Sequence, residues 1–214
     1  KIGLSISTLN NPFFVTLKEG AEAKAKELGV DLTTVDAQDD PAKQVSDIED
    51  LIQQGVDLLL VNPADSSAVV SAIEAANDAG IPVITIDRSA EGGEVAAHIA
   101  SDNVAGGKMA GELIIEQLAG KGKVVELEGI SGSSAARERG QGFNDAIKEA
   151  SGIEVVARQT ANFDRAQGLS VMENIIQSTK DFQAVFAHND EMALGALEAI
   201  EAAGLKDVIV VGFD

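Results

Sequence analysis

The sequence predicts an α/β protein built of two similar doubly wound parallel-sheet lobes. Three observations carry that prediction. Short, continuously apolar runs such as Leu58-Leu59-Leu60-Val61 and Val83-Ile84-Thr85-Ile86 read as strands covered on both faces. Between the runs, apolar residues recur at helical spacing, as in Phe14, Leu17, Ala21, Ala25 and Leu28. The alternation then starts afresh beyond residue 103, with strands beginning about every 25–30 residues in both halves, the length of one strand–helix unit.

In chain order, strands are expected near 2–7, 31–36, 57–61 and 82–87, with helices near 12–28, 41–54, 66–79 and 103–119. Asn10 and Asn11 suit cap positions of the first helix, and Pro12 suits its first turn, where the missing N–H costs nothing. Val45, Ile48, Leu51 and Ile52 fall on one face of the second helix. Gly29, Gly55 and Gly80 stand at the usual helix-stop position. After the segment 94–103 come strands near 124–128, 154–158, 183–187 and 208–212, and helices near 134–150, 165–178 and 190–203. No Pro- or Ser-rich linker marks the change of lobe, so the crossing is placed at Ser101-Asp102-Asn103, giving an N-terminal lobe 1–102 and a C-terminal lobe 103–214.

The 214 residues are 45% hydrophobic, enough for a sizeable core, and carry a net charge of −19. That field repels phosphate backbones and argues against a nucleic-acid partner. Cysteine is absent, which excludes disulfides and thiol chemistry. The two histidines, His98 and His188, lie far apart in sequence, and no metal or cofactor is expected. No apolar run is long enough for a membrane span. The first strand begins almost at once, so a secretory leader is expected to be absent from this chain or already removed.

Several strands end in polar residues on the edge where open α/β sheets bind ligands. These are Ser7 with Asn11 beyond it, Asn62-Pro63, Asp87-Arg88, Glu128-Gly129 leading to Arg137 and Arg139, Asn162-Phe163-Asp164, His188-Asn189-Asp190 and Phe213-Asp214. Each has a plain structural reading as well. Asp190 reads as a helix N-cap, Arg137 and Arg139 as solvated helix charges, and Phe13-Phe14 as a hydrophobic staple with a core ring. The functional reading is a sugar site. Asp, Asn and Arg offer paired hydrogen bonds to adjacent hydroxyls, and Phe13, Phe14 and Phe163 offer faces for the C–H patches of a sugar ring. Enzyme signatures are missing: the chain has no GxGxxG, no GxxxxGK[ST] and no GxSxG. Asp87 beside Arg88 is favoured in its ionised, accepting form. Catalysis is not expected.

The segments STLNNPFF (7–14), PVITIDRSA (82–90), HIASDNVAGGKMAGE (98–112), SAARERGQGF (134–143), HNDEMALGALEAIEAAG (188–204) and VIVVGFD (208–214) resemble the sugar-binding periplasmic receptors, and among them the ribose-binding members. The resemblance covers the whole chain. It implies a type I receptor of two lobes that closes on one monosaccharide, D-ribose or a close relative such as allose. Such a receptor works in the periplasm or outside the cell and delivers the sugar to the permease of an ABC transporter, and in some bacteria to a chemotaxis receptor. By motif match the ligand set is Asn11, Asp87, Arg88, Arg139, Asn189 and Asp214, with Phe13, Phe14 and Phe163 around the ring, Ser7 in support and Phe213 beside Asp214. His188 departs from the family pattern, which has Gln there. Family members also continue past the VGFD motif, so the second lobe is expected to be incomplete here, with self-association or a complementary C-terminal fragment as partner. The last motifs are similar as well to the effector-binding core of lac-repressor-type regulators, the alternative reading.

Overall fold

The computed structural model describes residues 1–214. They divide into two compact units, Lys1–Ser101 with Gly132–Ser134, and Asp102–Ser131 with Ala135–Asp214. In the first unit the order is β1 (Ile2–Ile6), α1 (Pro12–Leu28), β2 (Leu32–Asp36), α2 (Pro41–Gln53), β3 (Leu58–Val61), α3 (Val70–Asp78), β4 (Val83–Ile86) and β5 (Ala97–Ile99). The second unit follows with α4 (Asn103–Gln117), β6 (Gly122–Glu128), α5 (Ser134–Glu149), β7 (Ile153–Thr160), α6 (Arg165–Ser178), β8 (Ala184–Ala187), α7 (Asp190–Ala202) and β9 (Ile209–Val211).

Both sheets are parallel, ordered β2-β1-β3-β4-β5 and β7-β6-β8-β9. Strand order therefore reverses beside β1 in one sheet and beside β6 in the other. The crevice at such a point, outside the carboxyl ends of the strands, is where this architecture binds ligands. The strands are held from both faces. In the first unit Leu59, Val61 and Val83 pack with Ile48 and Leu51 of α2 and Ile73 of α3, while Leu4 and Ile6 pack with Phe14 of α1. In the second, Val125, Leu127 and Val185 meet α6 and α7 through Met172, Ile175, Met192 and Ala196. Val124 and Phe186 meet α4 and α5 through Ile114 and Phe143.

Two expectations about elements are revised. The regular third helix begins at Val70, not near 66: residues 66–69 form turns, with the Val70 amide bonded to the Ser67 carbonyl three residues back, and the Asp65 carboxylate caps them by accepting from the Ser67 and Ala68 amides. The segment 94–103 contains β5, a three-residue exposed strand on the sheet edge, joined to β4 by a 2.8 Å bond between Thr85 Oγ1 and His98 Nδ1. So short a strand leaves no periodicity to read.

The α4–α5 contact sets where the later site residues stand. A Cβ on Gly142 would lie 1.9 Å from the Val104 carbonyl oxygen, and one on Gly107 would lie 2.1 Å from that of Arg139. The two helices thus meet backbone to backbone.

Candidate functional site

In the first unit the carboxyl ends of β1, β3 and β4 are tied together by amide side chains. Asn62, fully buried, accepts from the Ser7 amide (3.1 Å) and hydroxyl (2.7 Å) and donates to the Ile86 carbonyl (3.0 Å). Gln44 on α2 donates to Ser5 Oγ (3.1 Å) and the Asn62 carbonyl (2.9 Å), and accepts from the Ala64 amide (2.7 Å). Asn62→Ala would leave the Ser7 donors and the Ile86 acceptor without this partner inside the protein. A loss of about 2–3 kcal/mol is expected, read as a lower urea midpoint at unchanged slope.

The clamp carries the predicted residues of this unit. Asn11 caps α1, its Oδ1 accepting from the Phe13 amide at 3.0 Å, so the plain reading of this asparagine is borne out geometrically and its amide N–H groups are left for another acceptor. Phe14 is a core ring with Leu4 and Ile6, whereas Phe13 is 39% exposed and stands edge-on to it at 5.3 Å. The Arg88 guanidinium, 2% exposed, lies 5.1 Å from the Phe14 centroid and donates to the Pro63 carbonyl at 3.4 Å. Asp87 Oδ2 is 3.9 Å from Arg88 Nε. Burial pushes the Arg88 guanidinium below its ordinary value, and the charges of Asp87 and Asp39 oppose this. Arginine stays charged even so. Asp87 has a left-handed backbone, φ +64°, and Phe163 in the second unit has φ +60°. Such strain in non-glycine residues gathers at functional sites.

In the second unit Arg139 is the centre. Its Nε donates to Asn103 Oδ1 (3.0 Å), its Nη1 donates to the His188 carbonyl (2.6 Å), and its guanidinium carbon sits 3.7 Å from the Phe213 centroid and 5.9 Å from that of Phe163. Asn103 in turn donates to Glu138 (3.1 Å). Arg139 is buried and so departs from the reading as a solvated helix charge, whereas Arg137 is exposed. The cap of α7 is Asn189, not Asp190. Asn189 has extended backbone and accepts from the Met192 amide at 3.0 Å, while Asp190 is the first helical residue. Asn189 also donates to the Phe163 carbonyl at 3.1 Å. Phe213 and Asp214 follow β9 and line a hollow of about 520 Å³ with Met109, Leu113 and Val211.

The structure thus gathers Ser7, Asn11, Phe13, Phe14, Asp87 and Arg88 at one strand edge, and Arg139, Phe163, Asn189, Phe213 and Asp214 at the corresponding region of the second sheet. Sequence reasoning noted Asn62 at a strand end but left it out of the ligand set, and it gave no site role to Gln44, Asn103 or Glu126. Glu126 did leave a signal, as a carboxylate inside the otherwise apolar run Val124-Val125-Glu126-Leu127. No group of three or more His, Asp and Glu side chains is arranged to hold a metal ion, and no helix is long and apolar enough to cross a membrane.

Residues 2–214 match the family described as periplasmic binding protein domain. The chain belongs to that family. A ribose import binding protein of Bacillus subtilis is 60% identical over 213 residues, covering all of this chain and 69% of that protein. The ribose import binding protein of Escherichia coli is 55% identical, with 100% and 72% covered. Among solved structures, a Caulobacter myo-inositol binding protein bound to myo-inositol superposes with a TM-score of 0.95 at 36% identity, over all of this chain and 74% of that one. An ABC transporter periplasmic solute binding protein from Actinobacillus succinogenes with bound D-allose gives 0.91 at 34%, over 100% and 78%. This chain therefore spans about 70% of the length of the two ribose import relatives. The members named here carry import-binding, inositol-binding or solute-binding names.

Proposed function

We propose that the protein is a receptor that captures a monosaccharide, D-ribose first of all, and delivers it to the permease of an ABC transporter in the periplasm or outside the cell. One observation supports this reading above the others. Each unit presents, at its ligand edge, a buried arginine facing a phenyl ring: Arg88 over Phe14, and Arg139 over Phe213. A guanidinium held this way offers fixed, paired donors to adjacent hydroxyls beside an apolar face. Identity with ribose import relatives points the same way. In the same reading the ligands are Asn11, Asp87, Arg88, Arg139, Asn189 and Asp214, and a chemotaxis receptor is a further partner. The regulator alternative is not favoured, since the relatives above bear import or solute-binding names.

Titration calorimetry with D-ribose, D-allose, D-glucose, D-galactose and myo-inositol tests the proposal. Ribose is expected to bind at least about tenfold more tightly than either glucose or galactose, because a wrong sugar leaves buried donors unpaired. Equal affinity for glucose or galactose would overturn the ribose preference. No binding by any of the five would overturn the receptor reading.

A further inference from the structure

His188 is 2% exposed and is used by neither the capping of α7 nor the predicted ligand set. Its surroundings define its proton. The Gly129 amide N–H points at Nδ1 from 3.2 Å, so Nδ1 must be a bare acceptor. Nε2 lies 2.9 Å from Glu126 Oε1. Glu126 is fully buried on β6, and burial, the strongest single influence, raises its carboxyl pKa. Hydrogen bonds from His188 and Arg158, together with the Arg158 charge, outweigh burial and hold it below the usual range. Arg158 Nε donates to Glu126 at 2.6 Å, and Asn144 Nδ2 lies 3.2 Å from each carboxylate oxygen. An ionised Glu126 can only accept, so Nε2 must carry the hydrogen. One neutral tautomer satisfies both sides of the ring.

What this ring holds still is the ligand edge itself. The His188 carbonyl takes the 2.6 Å bond from Arg139. Gly129, fixed by the ring, lies so close to Phe163 that a Cβ there would come within 2.2 Å of its ring. Asn189, the next residue, ties down the Phe163 carbonyl. Three candidate sugar-binding groups therefore depend on where His188 sits.

We infer that His188 is a positioning residue for the second unit's ligand edge, working as a neutral imidazole with its hydrogen on Nε2, clamped between the Gly129 amide and Glu126. Its role in affinity rests on the sugar-receptor reading; the tautomer does not. A glutamine side chain reproduces the pair of roles, its oxygen accepting from Gly129 and its amide donating to Glu126. Leucine reproduces neither and leaves a buried donor and a buried carboxylate without this partner.

The test has two arms. Long-range ¹H–¹⁵N spectra of the protein, with the His188 ring assigned by its disappearance in His188→Gln, should show an unprotonated Nδ1 and a protonated Nε2. A protonated Nδ1 overturns the inference without any sugar being present. In calorimetry, His188→Gln should keep ribose affinity within about threefold, and His188→Leu should lose about tenfold or more. Wild-type affinity in His188→Leu, or a tenfold loss in His188→Gln, would also overturn it. Should His188→Leu fail to fold, the spectra and the glutamine variant decide. A wild-type protein that binds no sugar refutes the receptor reading instead, and the spectra still decide the tautomer.

Discussion

Asp87→Ala is expected to weaken ribose binding by about 2–5 kcal/mol, the range for removing a charge that hydrogen-bonds a bound partner and is desolvated by it. Three features act together. The carboxylate would lose charge-assisted bonds to sugar hydroxyls. Arg88, buried above Phe14, would lose a nearby opposite charge that offsets its burial. The left-handed backbone at φ +64° is tolerated better by Asp than by Ala, so part of the effect should appear as lost stability. Asp87→Asn keeps the shape and the backbone preference and should lose less. Calorimetry on both variants, with melting temperatures alongside, separates affinity from folding. An alanine variant within about threefold of wild type would place Asp87 outside the site.

Gly142→Val should damage the second unit severely. Its Cβ would meet the Val104 carbonyl oxygen at 1.9 Å and the Lys108 amide nitrogen at 2.7 Å, both of them main-chain atoms of α4 that cannot rotate away. Overpacking of side chains alone costs about 1–3 kcal/mol, and a clash with backbone lies at or above the top of that range. A loss of about 3 kcal/mol in a chain of this size corresponds to a melting temperature lower by about 6–12 °C. Because Arg139 rides on the same helix, ribose affinity should fall with it. A melting temperature within about 2 °C of wild type would mean that α4 and α5 can separate freely, contrary to the packing described.

The legible and illegible parts of this protein differ in kind. Asn11 was read correctly as a cap, because capping depends on the few residues around it. Asp190 was read as the cap of α7, but Asn189 holds that place, because either could start the helix and only the extended backbone at Asn189 decides. Arg137 and Arg139 looked alike in sequence. They differ because two residues turn a helix side chain through about 200°, and only packing says which face meets the core. Nothing in the local sequence shows why Gly107 stands inside α4; the reason is the α5 backbone, since a Cβ there would lie 2.1 Å from the Arg139 carbonyl oxygen.

The sequence by itself determined the alternation of strands and helices, the repetition of that pattern in two halves, and the candidate residues after the strand ends. Those features follow from local periodicity and from motifs that are continuous in the chain. Only the tertiary structure decided the bonds that hold those residues in place: Asn62 to Ser7 and Ile86, Asn103 to Arg139, Glu126 to His188 and Arg158. Each joins groups at least 24 residues apart, the shortest being Asn62 to Ile86. Such pairings are set by strand order and by which helix face is buried, and neither is written in the spacing of neighbouring residues.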